Sequence, residues 1–301
     1  MTPSRGAVAP RSFGGPRRRR DRAAFLPGKG RAATYVLLIV GALAFTMPLI
    51  IMVLTSFKSF GEINTYPPTF LPKDLVTSNY AEAWTYPNTD FTRWTLNTLI
   101  ILGATLPGVL LSSSLVGYGF ARLRFRGRNL WFVLTIASIM LPPQVTLIPL
   151  YILFHQLGWL DTFLPLIVPS WFGGGALNIF LMRQFFLGIP RELDDAALID
   201  GAGPFTIWWR IYVPLSRPVM VTVALLTTLG IWNDFLGPLI YLTKPDNYTL
   251  ALGLSRFQGQ FVTRSDYLMA ISTLMIIPMV ILFIFAQRYI VKGFITSGVK
   301  G

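Results

Sequence analysis

Glu192, Asp194, Asp195 and Asp200 fall close together in a 301-residue chain that has 13 Asp and Glu in all. Clustered carboxylates can trade protons or hold a cation, but both tasks call for converging partners. Cysteine is absent and His155 is the single histidine. That closes off thiolate nucleophiles, disulfides and the common metal sites, and leaves His155, in a short loop, as a bystander. No catalytic residue and no metal site is expected. The chemistry this spacing allows is electrostatic and mechanical. Pro190 suits a first helical position, Glu192, Asp194 and Asp195 lie where the helix dipole favours anions, and Gly201 can stop the helix in a left-handed conformation. The result is a helix of about ten residues, roughly 15 Å long, too short and too acidic to cross a bilayer. Pro204 opens a second short helix through Ile207, Trp208 and Ile211, closed before Pro214.

Leu193, Ala196, Ala197 and Asp200 share one face of the first helix by i, i+3, i+4, i+7 spacing. The two alanines let another surface approach closely, so a soluble partner can dock there. The competing reading is an amphipathic loop resting on lipid headgroups, and the three carboxylates near an anionic leaflet oppose it.

The elements around this strip are read from composition. The chain is 53% hydrophobic and 13% charged, against roughly a quarter charged in a soluble domain, which makes it an all-α integral membrane protein. A net charge of +13 does not point to nucleic acid, because the basic residues sit in a leading tail and in short loops. Six segments have the ~20 apolar residues a spanning helix needs: Ala33–Phe57, Leu96–Phe120, Leu130–Phe154, Phe163–Met182, Val219–Leu242 and Leu268–Gln287. Asp234 is the one carboxylate or basic residue inside any of them. With the N-terminus inside, 20 of the 26 Lys and Arg fall on the inner side, so both termini are expected to be cytoplasmic. The acidic strip, within a loop over 188–218, then lies on the cytoplasmic side between spans four and five. Outer loops cover 58–95, 155–162 and 243–267. Residues 1–32 form a disordered basic tail, 33–292 the transmembrane domain and 293–301 a second tail.

Breaks are expected at Pro107-Gly108, Pro142-Pro143, Gly173–Gly175 and Gly237-Pro238. Each frees backbone groups that lipid cannot satisfy, so neighbouring helices or a wet cavity cover them. In the first outer loop, Asn79 and Glu82 stand at capping-box spacing. Trp208, Trp209 and Tyr212 are placed to brace the strip against the spans. Trp232, Asn233 and Asp234 lie near the outer end of the fifth span. They either line a solute path or tie and cap the helix break, and Asn97 has the same two readings.

Asp195, Ala196, Ala197, three residues, Gly201, nine residues, Ile211, one residue, Val213 and Pro214 resemble the cytoplasmic loop of permeases from binding-protein-dependent ABC importers. That loop reads Glu-Ala-Ala, three residues, Gly, nine residues, Ile, any residue, Leu-Pro. Asp195 departs from Glu and Val213 from Leu, which puts fine geometry in doubt. Ser78–Trp84, Tyr118–Asn129, Ile231–Ile240 and Gln287–Gly301 are similar to the sugar-importer branch, the maltose/glycerol-phosphate type.

The resemblance implies that Asp195, Ala196, Ala197, Asp200, Gly201, Ala202, Ile211 and Pro214 form a coupling loop seated on a separate ATPase subunit. It implies a sister permease in a heterodimer, two ATPase copies, an extracytoplasmic sugar-binding protein and surrounding lipid, in a bacterial inner membrane. ATP and Mg would belong to the ATPase. This chain binds no cofactor on that reading, and it carries no G-x-x-x-x-G-K-[ST] loop. Gln258, Gly259 and Gln260 would meet the binding protein, and Asn97, Trp232, Asn233 and Asp234 are candidates for the path. A secondary carrier coupled to ions is the alternative, and it needs ionisable groups at midplane depth.

Overall fold

A computed structural model describes residues 28–258 and 263–298, with side chains over 32–258 and 263–287. Most of the expected leading tail, and residues 299–301, lie outside the described residues. The chain divides after Ile50 into two units. Within the described residues the first unit is the leading part of α1 (Gly28–Ser56). The tail was expected to reach residue 32, but helix begins at Gly28. Once an apolar run has nucleated a helix, extension through strong formers such as Ala32 and Ala33 costs little.

The second unit starts within the last turns of α1. Two short helices follow, α2 (Phe60–Ile63) and α3 (Ser78–Trp84). Asn79 does not act in a capping box. Its Nδ2 donates to Ser56 O at 2.9 Å and Lys58 O at 2.8 Å, while Glu82 accepts from the Tyr267 hydroxyl at 2.6 Å. Both side chains tie distant segments rather than a helix end.

α4 (Phe91–Arg122) is capped by Asp90, whose carboxylate accepts from Arg93 N at 2.9 Å. It runs unbroken through Pro107, where a break was expected. One reason is on the neighbouring segment: the Trp171 indole donates to Ala104 O at 3.1 Å beside the proline, so polar backbone there is covered by protein.

α5 (Arg128–Ala137) and α6 (Pro143–Gln156) belong to two helical stretches that meet at 97° across Pro142-Pro143, as the paired prolines dictate. His155 sits in the last turn of α6 rather than in a loop. α7 (Leu164–Ile167) leads through a 3₁₀ turn to three glycines and α8 (Ala176–Leu187). Gly173, Gly174 and Gly175 all have positive φ. A Cβ on Gly174 would lie 2.6 Å from Val109 O, so only glycine lets this turn close against α4.

The strip follows as α9 (Glu192–Ile199), α10 (Pro204–Ile207), a π-helical turn over Trp208–Tyr212 and α11 (Val213–Leu215). α12 (Arg217–Trp232) departs from that stretch at 77°. The second helix of the strip therefore does not stop before Pro214. That proline lies within the continuous stretch Pro204–Leu215, directly after the π-helical turn. The fifth expected span is also broken earlier than Gly237: α12 ends at Trp232 and α13 (Leu236–Tyr241) carries Pro238 inside it. α14 (Leu250–Gly253) precedes α15 (Ser265–Gly298), which continues through residues expected to be tail after 292.

Among the described residues, four stretches are long and apolar enough to cross a membrane: Ala32–Ser56, Phe91–Arg122, Leu164–Leu187 and Ser265–Gln287. The two bent pairs raise the number to as many as six. Apart from one isolated bridge between Gln258 and Thr263, the described residues contain no β-structure.

α4 links two buried clusters. Near its start, Phe91 and Trp94 pack with Trp232, Phe257, Tyr267 and Ile271. Near its end, Tyr118 and Ala121 pack with Met182, Phe186, Trp208 and Tyr212. The second cluster holds the acidic strip.

Candidate functional site

Arg122 closes α4 with its side chain only 5% exposed. Its guanidinium donates to Phe186 O at 2.6 Å and to Ile189 O, capping the C-terminal end of α8. It also lies 3.4 Å from Asp194 Oδ2. The other carboxylate oxygen of Asp194 accepts the Tyr212 hydroxyl at 2.6 Å. Three elements thus meet at one carboxylate, α4, α9 and the π-helical turn, and Arg122 ties the end of α8 to them. Burial, and then the bond to Asp194, push the Tyr212 phenol above its ordinary range, so it stays a donor at any physiological pH. Tyr212 is fully buried, with Tyr118 4.9 Å and Phe186 5.3 Å away between ring centroids.

This lock ties the helix-turn-helix to α4 and to the end of α8. Gly201 has φ +78° and its amide donates to Leu198 O, while Ala202 N donates to Ala197 O at 2.9 Å. Such 6→1 bonding across a left-handed glycine ends a helix sharply. Of the expected bracing aromatics, Trp208 and Tyr212 are buried, but Trp209 is 51% exposed.

Ala197 is 9% exposed and packs into this chain's own cluster with Tyr212 and Met182. It does not belong to an open face. Leu193, Ala196 and Asp200 are open, as are Asp195 and Gly201, and Ile199 is 87% exposed. Ala202 and Ile211 are half-buried and Pro214 is exposed. The free surface of α9 is thus alanine flanked by leucine and isoleucine, rimmed by carboxylates. Ile199 and Arg122 were not singled out from the sequence, and Asp194 was read there only as an acid in the opening turn, not as the centre of a lock. An isoleucine beside a glycine stop and an arginine closing an apolar run were the available signals.

At the opposite end of α4, Asn97 Nδ2 donates to Asp246 O at 2.8 Å and Tyr248 O at 2.9 Å. Trp232 Nε1 donates to Met275 O at 3.1 Å, and the residue is 4% exposed. Both polar groups are engaged within the chain. Asn233 is exposed, whereas Asp234 is half-buried and accepts from Gly237 N at 3.1 Å, capping α13. Gln258 is exposed at the isolated bridge, and Gly259 and Gln260 lie outside the described residues.

Asp161 makes a second junction at that end. It accepts from the amides of Thr243 at 3.1 Å and Lys244 at 3.0 Å, and pairs with Lys244 Nζ at 3.1 Å. Desolvation opposes its ionisation, but these donors outweigh it and hold the carboxyl at about 2.

Residues 113–296, which include the whole strip, match the family described as binding-protein-dependent transport system inner membrane component. The chain belongs to that family. The permease is 32% identical over 272 residues to the probable ABC transporter permease protein YurM of Bacillus subtilis, covering 90% of this chain and 89% of that one. It is 36% identical over 256 residues to the arabinooligosaccharides transport system permease protein AraQ of Halalkalibacterium halodurans, covering 84% and 91%. A chain from the crystal structure of a bacterial ABC transporter that imports the acidic polysaccharide alginate shares its fold. There the TM-score is 0.74 at 24% identity, over 88% of this permease and 99% of that chain. These relatives are transport components rather than enzymes, and the permease is a multi-pass membrane protein.

Proposed function

We propose that this permease forms half of the translocation path of an ATP-driven importer for a sugar or oligosaccharide. A binding protein outside the membrane delivers the solute, a sister permease completes the path, and two copies of a separate ATPase bind ATP and Mg. The observation that carries this reading is the Arg122–Asp194–Tyr212 junction. It makes α9 a rigid outward lever on α4 and α8, with an apolar face left for another subunit. A lever braced in this way can transmit a push; a floppy loop cannot.

The excess of Lys and Arg beside the C-terminal end of α4 and beside the strip supports a cytoplasmic position for this end and for both termini. The name of the arabinooligosaccharide relative supports a carbohydrate as solute. Asn233, exposed at the α12–α13 break, faces the path on this reading, and Asp234 shapes it by holding α13. Gln258, Gly259 and Gln260 meet the binding protein.

The test is uptake into proteoliposomes. The assembled complex with ATP inside is expected to accumulate sugar against a gradient and to continue when the proton gradient is collapsed. Uphill uptake by this chain alone would overturn the proposal.

A further inference from the structure

The sequence from the end of α4 to the start of α5 carries Arg122, Arg124, Arg126 and Arg128, and of these Arg122 makes the junction with the strip. Arg124 and Arg128 converge with Arg191, from the lead-in to α9, on a polar recess of about 410 Å³. None of the ion pairs among the described residues involves these three. Glu192, next in sequence to Arg191, forms none with them either. Arg183, at the end of α8, is close enough to Arg128 for their charges to repel. The recess is thus a concentration of positive charge without an internal counter-ion.

Its floor adds to that field. α5 starts at Arg128 behind Gly127, which offers no side-chain cap, so that of the leading amides of Arg128, Asn129 and Leu130 only Arg128 N has a partner among the described residues, Phe125 O at 3.4 Å. The positive end of this ten-residue helix lines the same recess through Gly127, Arg128 and Asn129, an arrangement that favours anions. Immediately beyond, Leu130 is 62% and Trp131 59% exposed, on an apolar run that continues through Val133 and Leu134. Charge at the mouth of an exposed apolar stripe, with a tryptophan at the boundary, is the chemistry of a phospholipid: phosphate at one end and acyl chain at the other.

We propose that Arg124, Arg128 and Arg191 bind the phosphate of an anionic phospholipid whose chains lie along α5. The lipid neutralises the cluster and holds the loop between α4 and α5 beside the strip. Free phosphate would satisfy the arginines but not Leu130 and Trp131, which is why the lipid is the assigned occupant.

The full-length permease is placed in nanodiscs of phosphatidylcholine doped with phosphatidylglycerol, and co-retained lipid is measured by native mass spectrometry. Phosphatidylglycerol is expected to be retained in excess. R124Q/R128Q/R191Q should weaken that retention roughly a hundredfold, three charges each worth about a factor of five at a lipid surface. The corresponding triple lysine variant should keep most of it, which guards against a folding defect in the glutamine variant. R93Q/R256Q, at the other end of α4, should change nothing. Equal retention by the wild type and the glutamine variant would overturn the site. So would displacement of the lipid by millimolar inorganic phosphate, which indicates a free-anion site. Loss of ATPase-subunit assembly with lipid retention unchanged would also overturn it, assigning the arginines to a protein contact.

Discussion

The Tyr212 hydroxyl donates to Asp194 Oδ1 at 2.6 Å, across 18 residues of chain and at the point where Arg122 also reaches the carboxylate. Tyr212→Phe removes one hydrogen bond to a charged acceptor in a buried place, a loss of about 2 kcal/mol. Asp194 keeps Arg122, so the permease should still insert and fold. The expected outcome is a lower melting temperature and weaker stimulation of ATP hydrolysis by loaded binding protein. Equal melting and full stimulation would show that the lock is dispensable.

Ala197 and Ile199 separate packing from docking. Ala197→Leu forces extra volume into a full cluster, which costs about 1–3 kcal/mol and should appear as thermal destabilisation of the permease alone. Ile199→Asp changes an exposed residue, so melting should hold while assembly with the ATPase falls. The reverse pattern would move the docking face to the other side of α9.

Much of this was legible in the sequence, for reasons that differ by residue. The short acidic helix and its stop were readable because dipole placement and a left-handed glycine are local effects, fixed by Glu192, Asp194, Asp195 and Gly201. The sharp bend at Pro142-Pro143 was readable for the same reason. Burial of Ala197 was not, because helical spacing groups Ala196 with Ala197 on one face, and only the tertiary position of Tyr212 and Met182 decides which of them is covered. Arg122 looked like one of several positive charges marking the inner side. Its role depends on carbonyls 64 and 67 residues away. Pro107 shows the same limit from the other direction, since Trp171 on a distant segment shields the backbone beside it.

Asp161 predicts a pH dependence. Its carboxyl is lowered from 3.8 to about 2 in the folded protein. A depressed acid stabilises the fold above its unfolded value and loses that contribution as pH falls through the folded one. The junction of Asp161 with Thr243 and Lys244 should therefore be intact above about pH 4 and loosen towards pH 2. Hydrogen exchange at the amides of Thr243 and Lys244 reads this directly. Asp161→Asn should raise exchange at neutral pH and remove the acid-dependent step.

Asp234 has a capping role that asparagine can fill. Asp234→Asn should keep the bond to Gly237 N, the melting temperature and sugar uptake, whereas Asp234→Ala should cost about 1 kcal/mol. Loss of uptake in the asparagine variant with melting unchanged would instead assign the negative charge to the solute path.

The chain contains no cysteine, so a single introduced thiol reports one position without background. Ala196→Cys or Ile199→Cys, in the assembled transporter with a short bifunctional crosslinker, should capture the ATPase subunit, with a yield that changes on ATP addition. Capture from Asp246→Cys at the other end of α4, and none from either α9 position, would contradict the assignment of α9 as the lever.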